Sequence, residues 1–188
     1  MPPQKLMLIR HAEKEPDAGP PAYGINAEGE QDKHSLTARG WQRAGAIVPF
    51  FRLAWARSIE PPDAVYASKI GAAVLMADGH DISKSLRPQQ TVTPLVDAIG
   101  PEKGLQTPYA VGDEARLVQA IVANENGVVL VAWEHRHLPD IAKEFSSETP
   151  AAWPDSRFDN VWVLTLSNDG TYIFENVFQS LLSDDLKS

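Results

Sequence analysis

The chain has 188 residues, enough for one well-buried core, so we expect residues 1–188 to form a single domain. Its composition, 43% hydrophobic and 22% charged, excludes a disordered chain, and the absence of cysteine excludes disulfides, thiolate nucleophiles and cysteine-ligated metals. A formal net charge of -8 disfavours nucleic acid and anionic membranes as partners, so a site for an anion must be a local cluster of cations.

The N-terminal segment predicts a short buried strand. Residues 5–9 form a continuous apolar run that ends at Arg10 and His11. The run is too short for a signal peptide or a membrane span, so we expect a soluble, cytoplasmic protein. Residues 13–33 are rich in proline, glycine and charge, which predicts an irregular loop above a possible site.

The middle of the chain alternates between helical and strand patterns. Apolar residues recur at helical spacing over residues 37–57, with Ser35 or Thr37 available as the N-cap. Residues 64–67 then predict a second strand that leads into Ser68. Residues 69–86 fit neither pattern clearly, and their role stays open.

The second half predicts two further helices, a third core strand and a hairpin. Arg87 and Pro88 open a helix that ends before Gly100, which places Arg87 at a helix N-terminus, where backbone donors favour anions. A helix follows from about residue 112 to 123, and the apolar strand 127–132 leads to His135. Residues 161–166 and 171–178 form the hairpin.

These elements predict an α/β fold: a three-layer α/β/α sandwich whose mostly parallel central sheet carries an antiparallel hairpin at its C-terminal edge. Ligands of such sheets bind outside the carboxyl ends of the strands. His11 and His135 both follow buried strands, so they converge if those two strands are neighbours. Taken alone, each is a weak signal, because either could be an ordinary surface histidine.

Five segments in chain order resemble the histidine phosphatase superfamily, which includes phosphoglycerate mutases. Arg10-His11-Ala12 is similar to the Arg-His-Gly or Arg-His-Ala signature of that family. The similarity continues through Leu-Thr-Ala-Arg-Gly-Trp-Gln-Arg-Ala at residues 36–44, the strand that ends at Ser68, Arg-Pro-Gln-Gln-Thr at residues 87–91, and the strand that delivers His135. Two features depart from the family pattern: residues 69–86 separate Ser68 from Arg87, and Arg136 replaces the aspartate of the acid-phosphatase branch.

The resemblance implies a phosphohistidine mechanism that uses neither metal nor other cofactor. His11 would be the nucleophile and His135 the second catalytic histidine, while Arg10 and Arg87 would bind the phosphate. The positive charge of the arginines favours the neutral form of the imidazole, which a nucleophilic histidine requires. Each guanidinium group can also bind two phosphoryl oxygens at once.

The proton donor for the leaving group is not fixed by the sequence. Glu114 or Asp113 lies about where the resemblance places such an acid, but Gly-Asp-Glu at residues 112–114 is equally a plain helix cap. His34, His80 and His137 lie in polar, turn-like surroundings and are expected at the surface. A metal held by His135 and His137 has little support, because no carboxylates accompany that pair.

Three functions are compatible with these residues. The first is a phosphatase for a small phosphomonoester or a phosphoprotein, including phosphohistidine on a signalling protein. The second is phosphoryl transfer of the phosphoglycerate mutase type, which uses the same intermediate but protects it from water. The third is a phosphate-binding module that has lost its activity.

Overall fold

A mixed sheet covered by helices forms the described part of the computed structural model, which comprises residues 1–15, 23–53, 58–71, 84–102, 104–183 and 185. The strands are β1 (Lys5–Arg10), β2 (Ala64–Ala67), β3 (Leu105–Gln106), β4 (Val128–Trp133), β5 (Asn160–Leu166) and β6 (Tyr172–Phe178). The helices are α1 (Ala38–Arg52), α2 (Arg87–Ile99), α3 (Glu114–Asn124) and α4 (Leu138–Ala142).

The six described strands follow the order β3-β2-β4-β1-β5-β6. The pairs β1–β4, β2–β4 and β2–β3 are parallel, whereas β5 is antiparallel to β1 and β6 is antiparallel to β5. The predicted α/β sheet, mostly parallel with an antiparallel C-terminal hairpin at one edge, is therefore confirmed. The two-residue strand β3 was not predicted, since so short a segment has no periodicity to detect.

Both faces of the sheet are buried, which explains the continuous apolar runs of β1 and β4. Side chains alternate along β1: Leu6 and Leu8 contribute to a core that includes residues of α3 and α4, while Met7 and Ile9 contribute to a second core that includes residues of α1 and α2. The helices thus form two layers on opposite sides of the sheet, and the three-layer architecture is confirmed.

The helix starts follow the predicted caps. Thr37, rather than Ser35, caps α1, because its Oγ1 accepts a hydrogen bond from Gly40 N at 3.2 Å. Helix α1 ends at Arg52, and residues 54–57 of the predicted helix lie outside the described residues. Helix α2 begins at Arg87 and ends at Ile99, and its C-cap is Gly100, whose φ of +58° is favourable for glycine.

The predicted loop 13–33 and the unassigned segment 69–86 fall partly outside the described residues, and His80 falls wholly outside them. Residues 72–83, which make up most of the unassigned segment 69–86 and include His80, are among those not described.

Within the described ranges, no helix combines the length and the apolar character that a bilayer crossing requires.

Candidate active site

Strands β1 and β4 lie side by side and bring the two predicted histidines to the same edge of the sheet. Arg10 is in register with Trp133, and the backbone N–H of His11 donates to the Trp133 carbonyl at 3.1 Å. Because the strands are parallel, the residues that follow them leave the sheet at the same edge. The prediction that these two strands are neighbours is confirmed.

The imidazole of His11 is held in one tautomer. Its Nδ1 lies 2.7 Å from the Ala12 carbonyl oxygen, which can only accept, so Nδ1 carries the proton and Nε2 bears the lone pair. Burial holds the pKa of His11 well below 6.5, and the charges of Arg10, Arg87 and His135 lower it further. His11 is therefore neutral at physiological pH, with Nε2 able to act as a nucleophile.

Arg10 supplies a buried cation beside His11. Its Nη1 donates to the carbonyls of Asp155 and Arg157, and its guanidinium carbon lies 3.9 Å from the centre of the Phe158 ring. Burial lowers the pKa of Arg10 to about 10, which still leaves the group charged at neutral pH. Its Nε is buried and has no hydrogen-bond partner among the described residues, so one donor is available for an anion.

His135 lies between two carboxylates. Its Nε2 donates to Asp155 Oδ1 at 2.9 Å. Its Nδ1 is 2.7 Å from Glu134 Oε1, although the angles of this contact are not those of a hydrogen bond. Burial alone would raise the pKa of Glu134, but the adjacent His135 outweighs it and the pKa lies below its ordinary value. Across the described part of the chain, no cluster of three or more His, Asp or Glu could hold a metal ion.

Arg87 approaches the site from the N-terminus of α2. Its Nε donates to the Ser35 carbonyl at 3.2 Å, and its Nη2 donates to the Lys33 carbonyl. Its charge is among those that lower the pKa of His11, and its carbonyl accepts from Thr91 Oγ1, which in turn accepts from the N–H of Ala12 next to His11. Arg87 thus belongs to the same cluster, oriented by the loop that precedes α1.

The other residues of the Arg-Pro-Gln-Gln-Thr segment act as a scaffold. Thr91 Oγ1 accepts from Ala12 N at 2.8 Å and donates to the Arg87 carbonyl at 2.7 Å, so it joins the turn after β1 to α2. Gln90 Oε1 accepts from Leu36 N at 2.8 Å, which fixes the loop whose carbonyls hold Arg87. The segment therefore positions both His11 and Arg87.

The glycine of the Leu-Thr-Ala-Arg-Gly segment permits a close backbone approach. A Cβ at Gly40 would lie 2.6 Å from the Glu13 carbonyl oxygen, which also accepts from Thr37 N at 3.0 Å. The loop after His11 can therefore lie directly against the start of α1.

A buried ion-pair cluster fixes the same loop from the other side. Arg43 Nη2 lies 2.8 Å from Glu13 Oε1 and 2.5 Å from Asp185 Oδ1. Asp185 also accepts hydrogen bonds from the backbone of Leu181 and Leu182. Sequence analysis did not single out this cluster, whose members are far apart along the chain.

The two predicted acids are held at the start of α3. Glu114 Oε1 accepts from Trp133 Nε1 at 2.9 Å, and both Glu114 carboxylate oxygens accept from Gly112 N. Asp113 accepts from Ala110 N at 3.3 Å and pairs with Arg116 at 3.3 Å. Asp113 is the N-cap residue of α3 by position, but its side chain makes no capping hydrogen bond to the helix.

Sequence analysis missed a segment that contacts Arg10, His11 and His135. Residues 153–158, here named the Asp155 turn, supply the carboxylate on His135, the carbonyls on Arg10 and the Phe158 ring beside both Arg10 and His11. The centres of the His11 and Phe158 rings are 6.2 Å apart. Pro154 and Asp155 indicate a turn, but no sequence pattern places that turn at the site.

No protein-family model and no curated protein matches the sequence. Among solved structures, the chain is similar to the protein histidine phosphatase SixA complexed with tungstate, with a TM-score of 0.56 and 14% identity over 93% of this chain and 97% of that one. It is similar to a mycobacterial hydrolase, with a TM-score of 0.55 and 12% identity over 95% and 99% of the two chains.

A further likeness is to a mutant phosphoserine phosphatase from Entamoeba histolytica in complex with phosphoserine, with a TM-score of 0.50 and 13% identity over 94% and 97% of the two chains. At these identities the similarity establishes the fold. The chain has the fold of the histidine phosphatase superfamily.

Proposed function

We propose that this chain, as a single domain, is a phosphatase that acts on a small phosphomonoester or a phosphoprotein through a phosphohistidine intermediate at His11. The observation that carries the proposal is the convergence of a neutral imidazole, whose Nε2 bears the lone pair, with Arg10 and His135 at one edge of the sheet. The roles of His11 as nucleophile, His135 as the second catalytic histidine that donates a hydrogen bond to the phosphoryl group, and Arg10 and Arg87 as phosphate ligands are parts of this proposal.

In the first step, His11 Nε2 attacks phosphorus while the bond from phosphorus to the ester oxygen breaks. The leaving oxygen takes a proton and departs as an alcohol, a phenol or a side-chain hydroxyl. Negative charge spreads over the phosphoryl oxygens during the transfer, so the fixed charge of Arg10 and the N–H of His135 stabilise the transition state. The hydrogen bond from Nδ1 to Ala12 stabilises the charge that develops on the His11 ring.

In the second step, water attacks phosphorus and the bond to Nε2 breaks, which releases inorganic phosphate and the neutral imidazole. These residues perform both steps without a metal or other cofactor, so we propose a metal-independent enzyme. The proposal is supported by the fold, because two of the similar structures are phosphatases, one complexed with the tetraoxyanion tungstate and one with phosphoserine.

Hydrolysis of p-nitrophenyl phosphate in the presence of a chelator tests the proposal. We expect turnover by the wild type and a loss of at least about a thousandfold in His11→Asn. A single-turnover experiment with labelled substrate should yield an acid-labile phosphoenzyme in the wild type and none in the variant. Arg116→Ala is the control for general surface changes, since the Arg116 side chain is 72% exposed and is not one of the proposed site residues.

Two outcomes would contradict the proposal. Turnover that survives in His11→Asn would exclude the phosphohistidine route. Tight vanadate binding without turnover on a broad panel of phosphomonoesters and phosphopeptides would instead indicate an inactive binding module. One observation favours that alternative: the Asp155 carboxylate already accepts the hydrogen bond of His135 Nε2.

A further inference from the structure

The Asp155 turn brings a carboxyl group to the proposed phosphate site. The main-chain carbonyl of Asp155 accepts from Arg10, and its carboxylate accepts from His135 Nε2 at 2.9 Å. One residue therefore contacts two of the proposed phosphate ligands. Its side chain is nevertheless 86% exposed, so its carboxyl group can exchange protons with solvent.

Contacts on both sides of Asp155 fix its backbone. Trp153 is buried, its ring centre lies 4.8 Å from that of Trp162, and its Nε1 donates to the Arg157 carbonyl at 3.0 Å. Arg157 N donates to the Pro154 carbonyl at 3.0 Å, which closes the turn. The backbone is held, whereas the exposed carboxylate of Asp155 can rotate about its own side-chain bonds.

Other carboxylates near the site already serve as acceptors. Glu114 accepts from Trp133 and Gly112, and Glu13 is paired with Arg43. The pKa of Glu134 is below its ordinary value because of His135, although burial opposes this. All three carboxylates are thus engaged by groups of the protein itself.

We infer that Asp155 is the general acid that protonates the leaving oxygen. This inference rests on the proposed function. A phosphoryl group bound to Arg10 and His135 takes the position of the Asp155 carboxylate on His135, and two adjacent anions favour protonation of the carboxyl group. In-line attack by the buried His11 directs the ester oxygen outward, toward the exposed Asp155.

The proton balance closes over the two steps. The Asp155 proton passes to the ester oxygen as its bond to phosphorus breaks, which leaves Asp155 ionised beside the empty leaving-group position. Water enters that position, and the Asp155 carboxylate accepts its proton as the water oxygen bonds to phosphorus and the phosphorus–nitrogen bond breaks.

Dependence on the leaving group distinguishes a proton donor from a structural residue. We would measure kcat/KM for phenyl phosphate, whose phenolate leaves poorly without a proton, and for 2,4-dinitrophenyl phosphate, whose phenolate needs none. In Asp155→Asn we expect a fall of about 100-fold or more with the first substrate and of less than about threefold with the second. Asp169→Asn, which removes an exposed carboxylate in the turn between β5 and β6, is the matched control and should change neither.

Each result bears on one proposal or on both. Equal losses with the two substrates in Asp155→Asn would overturn the inference, because a misplaced site or an altered charge at the site affects both substrates alike. No loss with either substrate would also overturn it. If His11→Asn abolishes hydrolysis of both substrates, the proposed function stands whatever Asp155→Asn does. Absence of wild-type turnover, or activity that survives in His11→Asn, would overturn the proposed function and this inference together.

Discussion

Replacement of Thr91 by valine tests the link between α2 and the turn that carries His11. Valine keeps the shape and removes the hydroxyl that accepts from Ala12 N at 2.8 Å. Both residues are buried, so Ala12 N–H would lose its acceptor in a place that water does not reach. An unsatisfied buried donor costs about 1–3 kcal/mol, and we expect Thr91→Val to lower the free energy of unfolding by that amount.

Thr93 provides a matched control on the same helix. Its hydroxyl makes the same kind of hydrogen bond as Thr91, to the carbonyl four residues earlier at 2.9 Å, but Thr93 is exposed. Thr93→Val should therefore change stability by less than about 0.5 kcal/mol. Thr91→Ser keeps the hydroxyl and should retain the hydrogen bond to Ala12.

Urea denaturation followed by circular dichroism measures the three variants. Because the Ala12 carbonyl orients the His11 ring, Thr91→Val should also lower kcat/KM, with little change in Thr91→Ser and Thr93→Val. If Thr91→Val and Thr93→Val differ by less than about 0.5 kcal/mol, the hydrogen bond to Ala12 N does not hold this turn and the reasoning is wrong.

Two further predictions concern charge. Since the pKa of His11 in the folded chain lies well below 6.5, the unfolded state binds more protons below that pH, so the contribution of His11 to stability decreases as the pH is lowered. Between about pH 7.5 and about 5.5, the free energy of unfolding of His11→Asn should fall by less than that of the wild type, with a difference of up to about 1.4 kcal/mol, and equal slopes in urea titrations would contradict this. Asp185→Asn leaves Arg43 with the carboxylate of Glu13 and the neutral amide of Gln179 and should cost about 1–3 kcal/mol, whereas an unchanged midpoint would show that Asp185 contributes little.

The fold could be predicted because its signals are local. The runs of β1 and β4 are buried on both faces, so they read as continuous apolar segments, and α2 is bounded by Pro88 and Gly100. Strand β3 could not be found this way, because its two residues are defined by pairing with Val65 and Tyr66 rather than by a pattern of their own.

The site could be predicted only in part. Residues that directly follow the core strands, such as His11 and His135, are placed by sheet geometry once the strands are identified. Asp155 is different: it reaches the site because Trp153 packs on Trp162 and Phe158 lies against Arg10. Such contacts depend on tertiary packing, and no spacing along the chain reveals them.

The strong negative charge of the chain is compatible with an anion site because the local arrangement decides the potential in the pocket. Charges farther away than about 8 Å are largely screened at physiological ionic strength. Within the pocket, backbone carbonyls hold the guanidinium groups: those of Asp155 and Arg157 hold Arg10, and those of Lys33 and Ser35 hold Arg87. A carbonyl orients a guanidinium without neutralising it, as a carboxylate would, so the two carbonyl contacts of Arg10 fix its position and leave its charge in place.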